Sequence, residues 1–316
     1  MRNHPMAVKT NINEFLELYE LPLEELIGIS SKITQQNFKN KVDFCSIVSA
    51  KTGKCGEDCK YCAQSSHYRT NIETHSLISL EEVKKCAISA RENGVTKFSI
   101  VTSGRNPESE DFEKLLEMIS LLKEIGGFMV CASLGILDEK ELLELKEAGL
   151  ERYHHNINTC KSYHNEVCTT HSYQDRINTI NLTKKCGLEA CSGVIIGMGE
   201  SRQQRSEMAA ELAELRPASI PINFLYPIEG TPFEIHTDSI DAEEILRTIA
   251  IFRIAMPESE LRYAGGRALR FSPKYQELGL KTGINGILVG NYLTTIGIEP
   301  KDDLDLLKRS GMELKI

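Results

Sequence analysis

No stretch of this chain approaches the run of about 18 apolar residues that a membrane-spanning helix needs. Its opening, MRNHPMAVKTNINEF, lacks the apolar core of a secretory leader, so export is not expected. Basic charge is in deficit: 37 Lys and Arg stand against 45 Asp and Glu, a net charge of −8. That balance argues against nucleic acid or an anionic membrane as the main partner. Low-complexity tracts and obvious linkers are missing. So are a P-loop, a dinucleotide G-x-G-x-x-G after a strand, and a Ser–His–Asp order.

What the chain does have is globular. Hydrophobic residues make up 41% and charged residues 26% of its 316 positions. That length admits two domains, or one α/β barrel of about 250 residues with extensions. Such a chain buries a full core without covalent staples. Yet it carries 10 cysteines. A disulfide framework belongs to short secreted chains. Buried structural thiols and metal or cluster ligation are the readings left, and position decides between them.

Residues 11–38 read as two helices, the second starting near Pro22, a residue suited to a first turn. Beyond them, short β-rich runs alternate with amphipathic helical stretches. Strands are expected at 42–50, 97–102, 128–133, 152–158, 189–196, 219–225, 260–264 and 286–289. The stretch SLEEVKKCAISARENG opens with Ser79 as N-cap and Glu82 three residues on, a capping box, and closes at Gly94. Three other stretches, SEDFEKLLEMISLLKEIGG, DEKELLELKEAGL and SRQQRSEMAAELAELRP, are likewise stopped by Gly or Pro. Eight strands with crossover helices predict an α/β fold, a (β/α)8 TIM-type barrel, with a doubly wound open sheet as the alternative. The expected division is an N-terminal helical extension over 1–38, the barrel over 39–298 and a C-terminal helix or tail over 299–316. In such a barrel the chemistry sits at the carboxyl ends of the strands.

Directly after the first strand comes KTGKCGEDCKYCAQSS, where Cys55, Cys59 and Cys62 form a C-x3-C-x2-C loop. Three thiolates so close together can hold three irons of a [4Fe–4S] cubane, leaving the fourth iron open to a chelating substrate or cofactor. Structural zinc is the alternative. It wants four closed ligands, and the nearby candidate, His67, lies outside any usual finger spacing. CGEDCKYC, with a tyrosine just before the third cysteine, resembles the signature of radical S-adenosylmethionine (SAM) enzymes. That resemblance implies that SAM chelates the open iron and is cleaved to a deoxyadenosyl radical, which takes hydrogen from an unactivated carbon. Further stretches sharpen it: YHHNINT at 153–159, TTHSYQDRINTI at 169–180, CSGVIIGMGE at 191–200, INFLYPIEGTPF at 222–233 and RYAGGR at 262–267. Together with the cysteine loop they resemble the biotin synthase family over about residues 40–295.

The resemblance implies sulfur insertion into dethiobiotin, with a second iron–sulfur cluster deep in the barrel as the sulfur source. By the family pattern Cys131, Cys191 and Arg262 are ligands, and Ser99 stands where a third cysteine is expected. Two other cysteines offer replacements: Cys45 on the first strand, and Cys168 in the loop after the fourth. With Cys131 and Cys191 they give three or four thiolates. That suits a four-iron auxiliary cluster, its open iron carrying transferable sulfide, better than the alternative [2Fe–2S] cluster. Arg262 can instead be read as half of a buried ion pair. Cys86 and Cys186 lie in helices and read as buried or half-buried thiols, while Cys160 is unassigned.

GVIIGMGE fits a G-x-I-x-G-x-x-E pattern that contacts adenine in the family, which marks Gly193, Ile195 and Glu200 as SAM-binding residues. Gly193 and Gly197 allow close backbone approach, and Glu200 supports the loop. Tyr61 is expected to offer its backbone to the adenine. Asn156 and Asn158 are expected to reach the ribose and the ureido ring of the substrate, although the family usually has Asp at 158 and Asn where His154 stands. Asn223 is the candidate for the ureido carbonyl, and Arg262, Asn156 and Asn223 form the expected catalytic set. Lys51 reads either as a partner for a ligand carboxylate or as a solvated lysine. The implied partners are SAM, dethiobiotin, a flavodoxin or ferredoxin approaching Lys51, Lys54 and Lys60, and a second copy in a homodimer. Exposed clusters are oxygen-labile, so a reducing cytoplasm is expected. Rival readings are a hydrogenase di-iron maturase, a methylornithine synthase, or a non-catalytic cluster carrier.

Overall fold

Eight parallel staves close on themselves in the computed structural model, which describes residues 11–237, 239–290 and 297–315. The staves are β1 (Lys41–Lys51), β2 (Lys97–Thr102), β3 (Met129–Ser133), β4 (Arg152–His154), a fifth made of β5 (Glu189–Cys191) and β6 (Val194–Ile196), then β7 (Ser219–Phe224), β8 (Glu260–Tyr263) and β9 (Gly286–Leu288). Each pairs in parallel with its neighbour, and Asp43 opposite Gly286 joins β1 back to β9. The closure excludes the open sheet and gives the TIM-type barrel.

Two helices, α1 (Ile12–Tyr19) and α2 (Leu23–Phe38), precede the barrel. Pro22 is the N-cap of α2, one residue ahead of its first turn. The crossover helices are α3 (Leu80–Glu92), α4 (Ser109–Ile125), α5 (Glu139–Glu147), α6 (His164–Val167), α7 (Tyr173–Lys185), α8 (Arg202–Leu215) and α9 (Ala242–Ala255). Next come α10 (Arg267–Arg270), α11 (Pro273–Thr282) and α12 (Pro300–Ser310). The capping box at Ser79 and Glu82 forms, and Asp138 with Glu141, Ser172 with Asp175 and Ser201 with Gln204 repeat it. These boxes satisfy orphan N–H groups where each helix leaves its loop, which sets where each helix begins. Helices α1 and α2 lie against α8 and α9, where the Tyr19 hydroxyl meets Thr248 at 3.1 Å and the Arg202 and Arg205 guanidiniums stack over its ring.

Side-chain alternation sorts each stave into two faces. On β2, Lys97, Ser99 and Val101 face the lumen, while Phe98 and Ile100 join the core outside it. The expected strand at 152–158 is shorter in the structure. It ends at His154, because Asn158 turns into the left-handed region (φ 64°). There it is zipped to β6 by Asn158 N–H to Gly193 O at 3.2 Å and Ile195 N–H to Asn158 O at 2.8 Å. The expected strand at 189–196 is broken at Ser192 and Gly193. After α12, β10 (Glu313–Leu314) pairs with Lys41 and Val42, adding a short strand within the expected tail. Residues 1–10 of the expected extension, 291–296 of the expected barrel span and 316 of the tail lie outside the described residues.

Candidate functional site

The lumen is layered by stave position. Its floor is ionic. Asp43 on β1 and Glu260 on β8 are carboxylates; Lys97 on β2, Arg152 on β4 and Arg262 on β8 are cations. Lys97 is paired with Asp43 and lies 2.9 Å from Glu260. Arg152 reaches Glu260 at 2.9 Å and Glu189 at 2.5 Å. Arg262 Nη2 lies 3.1 Å from Asp43 and 3.4 Å from Glu260. Burial pushes the Asp43 carboxyl up, but Arg262 and Lys97 outweigh it and hold it at about 2. Arg262 is therefore an ion-pair partner of Asp43.

Above the floor stand the sulfurs. Cys45, Cys131 and Cys191, with Ser99 and His154, line one interior cavity of about 410 Å³. Ser99 is in register with Cys131, and His154 with Cys191, whose Sγ lies 3.2 Å from His154 Nδ1. Burial pushes all three thiols above their ordinary range, and the proximity of Cys45 and Cys191 adds to the rise at Cys131. Burial also takes His154 down to about 4, so its ring is neutral. Three lumen-facing thiols with Arg152 and Arg262 beside them form a donor set that fits an iron–sulfur cluster, whose positive ions convert such thiols to thiolates.

A second cavity of about 200 Å³ opens above, lined by Cys55, Cys59 and Cys62. It shares Tyr61, Cys62, His154, Asn156 and Asn158 with the interior cavity, so these residues stand between the cysteine loop and the inner sulfurs. The loop is held by its own backbone: Cys55 N–H to Gln64 O at 3.0 Å, Cys62 N–H to Cys59 O at 2.9 Å, and Ser66 N–H to Cys55 O at 2.7 Å. Three thiols converging on one cavity fit a cluster with an open iron. His67 does not join them; its Nε2 faces the Gly56 carbonyl at 3.0 Å.

The remaining candidates separate into those facing the cavities and those that brace them. The Asn158 amide oxygen, oriented to satisfy its neighbours, accepts from the Tyr61 hydroxyl at 2.6 Å and from Arg176 at 3.0 Å. Thus the Tyr61 side chain, and not only its backbone, shapes the cavity. Asn156 Oδ1 accepts from Gly193 N–H at 2.8 Å. A Cβ on Gly193 would sit 1.9 Å from the Pro221 carbonyl oxygen, so this position tolerates no side chain beside β7. Ile195 lines the interior cavity. Glu200 accepts from Gly197 N–H at 2.8 Å and Met198 N–H at 2.7 Å, which fixes the turn after β6. Asn223 lines the interior cavity, but its oxygen accepts from Gly265 N–H at 3.0 Å and its nitrogen donates to Val194 O at 3.2 Å. One N–H of its amide is left for a ligand.

Three expectations change, and the unassigned Cys160 finds its place. Cys168 is not brought to Cys131 and Cys191; it stands against the first cysteine loop, 3.1 Å from Asp58 Oδ1 and 3.3 Å from His171 Nδ1, because Asp58 binds the N–H groups of Thr169 and Thr170 and draws that loop upward. Lys51 pairs with Asp111 at 2.7 Å and is not free for a ligand. Cys86 is exposed on α3, whereas Cys186 is buried. Cys160 is buried in the outer core, 3.2 Å from the Ser162 hydroxyl. The floor residues Lys97, Arg152, Asp43 and Glu260 were not among the candidates read from sequence. Counting by two from Ser99, His154, Cys45 and Arg262 would have found all four.

Two family models match the chain: the radical SAM superfamily over residues 50–212, and the biotin and thiamin synthesis associated domain over 221–313. Among curated relatives, biotin synthase of Acetivibrio thermocellus is 48% identical over 291 residues, covering 92% of this chain and 90% of the relative. Biotin synthase of Clostridium tetani is 45% identical over 305 residues, covering 96% and 93%. Among solved structures, a methylornithine synthase superposes with TM-score 0.84 at 20% identity (98% of this chain, 95% of that one). A maturase of the [FeFe]-hydrogenase does so with TM-score 0.83 at 17% identity (96% and 72%). Those two likenesses show the barrel alone. The family matches and the curated relatives go further: this chain is an enzyme, a radical SAM sulfurtransferase, and it belongs to the biotin synthase family.

Proposed function

We infer that this chain converts dethiobiotin to biotin by drawing sulfur from an auxiliary four-iron cluster held by Cys45, Cys131 and Cys191. SAM and dethiobiotin are its substrates, and the family implies a [4Fe–4S] cluster at Cys55, Cys59 and Cys62. The observation that carries the reading is the single cavity shared by Cys45, Cys131 and Cys191 beneath Asn156, Asn158 and Asn223. Three thiolates leave one iron of a four-iron cluster open, whereas a two-iron cluster needs a fourth ligand. Arg262 is a poor fourth ligand, since its guanidinium is engaged by Asp43. When bound, the first cluster and SAM supply reductive sulfonium cleavage and a hydrogen-abstracting radical.

The protein's own part is placement. Glu200 and Asn156 hold the backbone of the turn after β6 and of Gly193, which forms the adenosine side of the site. The Tyr61–Asn158–Arg176 network fixes the wall between the two cavities. Ile47, Val101, Ile195 and Leu288 line the interior cavity and keep water from the carbon radical. Asn223 offers its remaining N–H to the ureido carbonyl. Arg152 and Arg262 offset the charge of the inner thiolates. In this reading a flavodoxin or ferredoxin docks near Lys54 and Lys60, and the chain works as a homodimer in a reducing cytoplasm. No helix among the described residues is long and apolar enough to cross a membrane.

The test is anaerobic turnover with SAM and a low-potential reductant. Dethiobiotin should stimulate deoxyadenosine formation, and biotin should appear. Deoxyadenosine formation that is indifferent to dethiobiotin would overturn the assignment.

A further inference from the structure

Cys168 and His171 are buried, yet neither is needed to build the two cavities' thiol sets. Their ligand atoms and the Cys59 sulfur all lie within 4.8 Å of one another. Two carboxylates face the same point: Asp58 Oδ1 is 3.1 Å from Cys168 Sγ, and Glu57 is hydrogen-bonded to His171 Nδ1. The arrangement is fixed in advance. Asp58 takes the Thr169 and Thr170 N–H groups at 2.8 and 3.1 Å, Lys60 N–H reaches Val167 O at 2.9 Å, and Arg105 lies 3.2 Å from Glu57. The second ring nitrogen of His171 is buried and has no partner among the described residues. A packing role alone would be served by an apolar side chain at 168. Here a second thiol, an imidazole and two carboxylates meet beside a cluster cysteine.

We propose that, in the chain lacking its iron–sulfur clusters, Cys59, Cys168 and His171 hold a single divalent transition-metal ion, with Glu57 or Asp58 as the fourth ligand. Two thiolates, an imidazole and a carboxylate are a borderline-soft tetrahedral set, suited to Zn²⁺, Fe²⁺ or Co²⁺ and not to Mg²⁺ or Ca²⁺. Binding moves no electrons. The ion forms two metal–sulfur bonds, and the two thiol protons leave to solvent. Because Cys59 serves both groups, the ion and the first cluster exclude one another. The ion covers the cysteine loop before assembly and must leave for assembly to proceed. This exclusion rests on Cys59 being a cluster ligand. The ion site itself does not, nor does it depend on the nature of the inner cluster.

The experiment titrates the anaerobic, cluster-free full chain with Co²⁺ and reads thiolate-to-cobalt charge transfer and tetrahedral d–d absorption. One Co²⁺ per chain with thiolate bands is expected. Cys168→Ser and His171→Ala should each weaken binding by about tenfold or more, and Cys62→Ser should leave it unchanged. Binding indifferent to Cys168 and His171, or lost in Cys62→Ser, would contradict the site. A second measurement guards against misfolded variants: Zn²⁺ should slow iron–sulfur reconstitution of the unmodified chain, and Cys168→Ser, which still assembles the first cluster, should escape that inhibition. Equal inhibition of both chains would overturn the exclusion, with dethiobiotin turnover tested separately.

Discussion

Cys45 is the residue on which the inner site turns. It faces the lumen from β1, two positions along from Asp43, and supplies the third thiol that Ser99 withholds on β2. Cys45→Ala should therefore lose about four irons per chain while SAM is still cleaved, giving deoxyadenosine without biotin. Arg262 makes the complementary case. It pairs with Asp43 in the floor, and the proposed reading leaves it out of the iron ligands, so Arg262→Lys should keep the inner cluster's absorption and iron content. Loss of that cluster in Arg262→Lys would return the guanidinium to the ligand set. Removing its partner is costlier: Asp43→Ala leaves Lys97 and Arg262 short of a buried counter-charge, and denaturant unfolding should show a loss of about 3–5 kcal/mol. His155 gives the pH dependence. Burial holds its ring well below the usual histidine range, so the fold carries the neutral form, whereas the unfolded chain titrates near about 6.5. The stability it contributes is complete above that pH and is lost as the pH falls below it. Melting curves across mildly acid pH should show the decline, and His155→Gln should flatten it.

At the scale of elements, the split stave is the decisive feature. The break at Ser192 and Gly193 lets Asn158 zip onto β6 and brings Asn156 to the Gly193 N–H. Gly193→Ala would drive a methyl into the Pro221 carbonyl and proline ring, so β6 and β7 must separate. A stability loss of about 1–3 kcal/mol is expected, together with weaker SAM binding in equilibrium titration. The staves and caps themselves were legible from the sequence. Ser79 with Glu82, and β-rich runs alternating with helical ones, carry their own signal through local hydrogen bonding and periodicity. The break was not, because it depends on how close β7 comes to Gly193. Asn158 was read as a strand residue for the same reason: its left-handed turn answers to a partner on β6, distant along the chain.

Across the whole molecule, the barrel stacks its chemistry in layers: an ion-pair floor, a ring of inner sulfurs, a cavity walled by amides, and the outer cysteine loop at the carboxyl mouth. The motifs disclosed the outer loop and two of the inner sulfurs. They could not place Cys168, because its position follows from Asp58 binding the loop at 169–170, a contact with no sequence pattern of its own. Nor could they weigh Arg262, whose role depends on Asp43 across the closing seam between β1 and β9. The layered order predicts two four-iron centres in one chain. Iron and acid-labile sulfide analysis of the anaerobically reconstituted protein tests this most directly. About eight irons per chain are expected with two four-iron clusters, and about six would contradict the account by showing that the inner cluster has two irons.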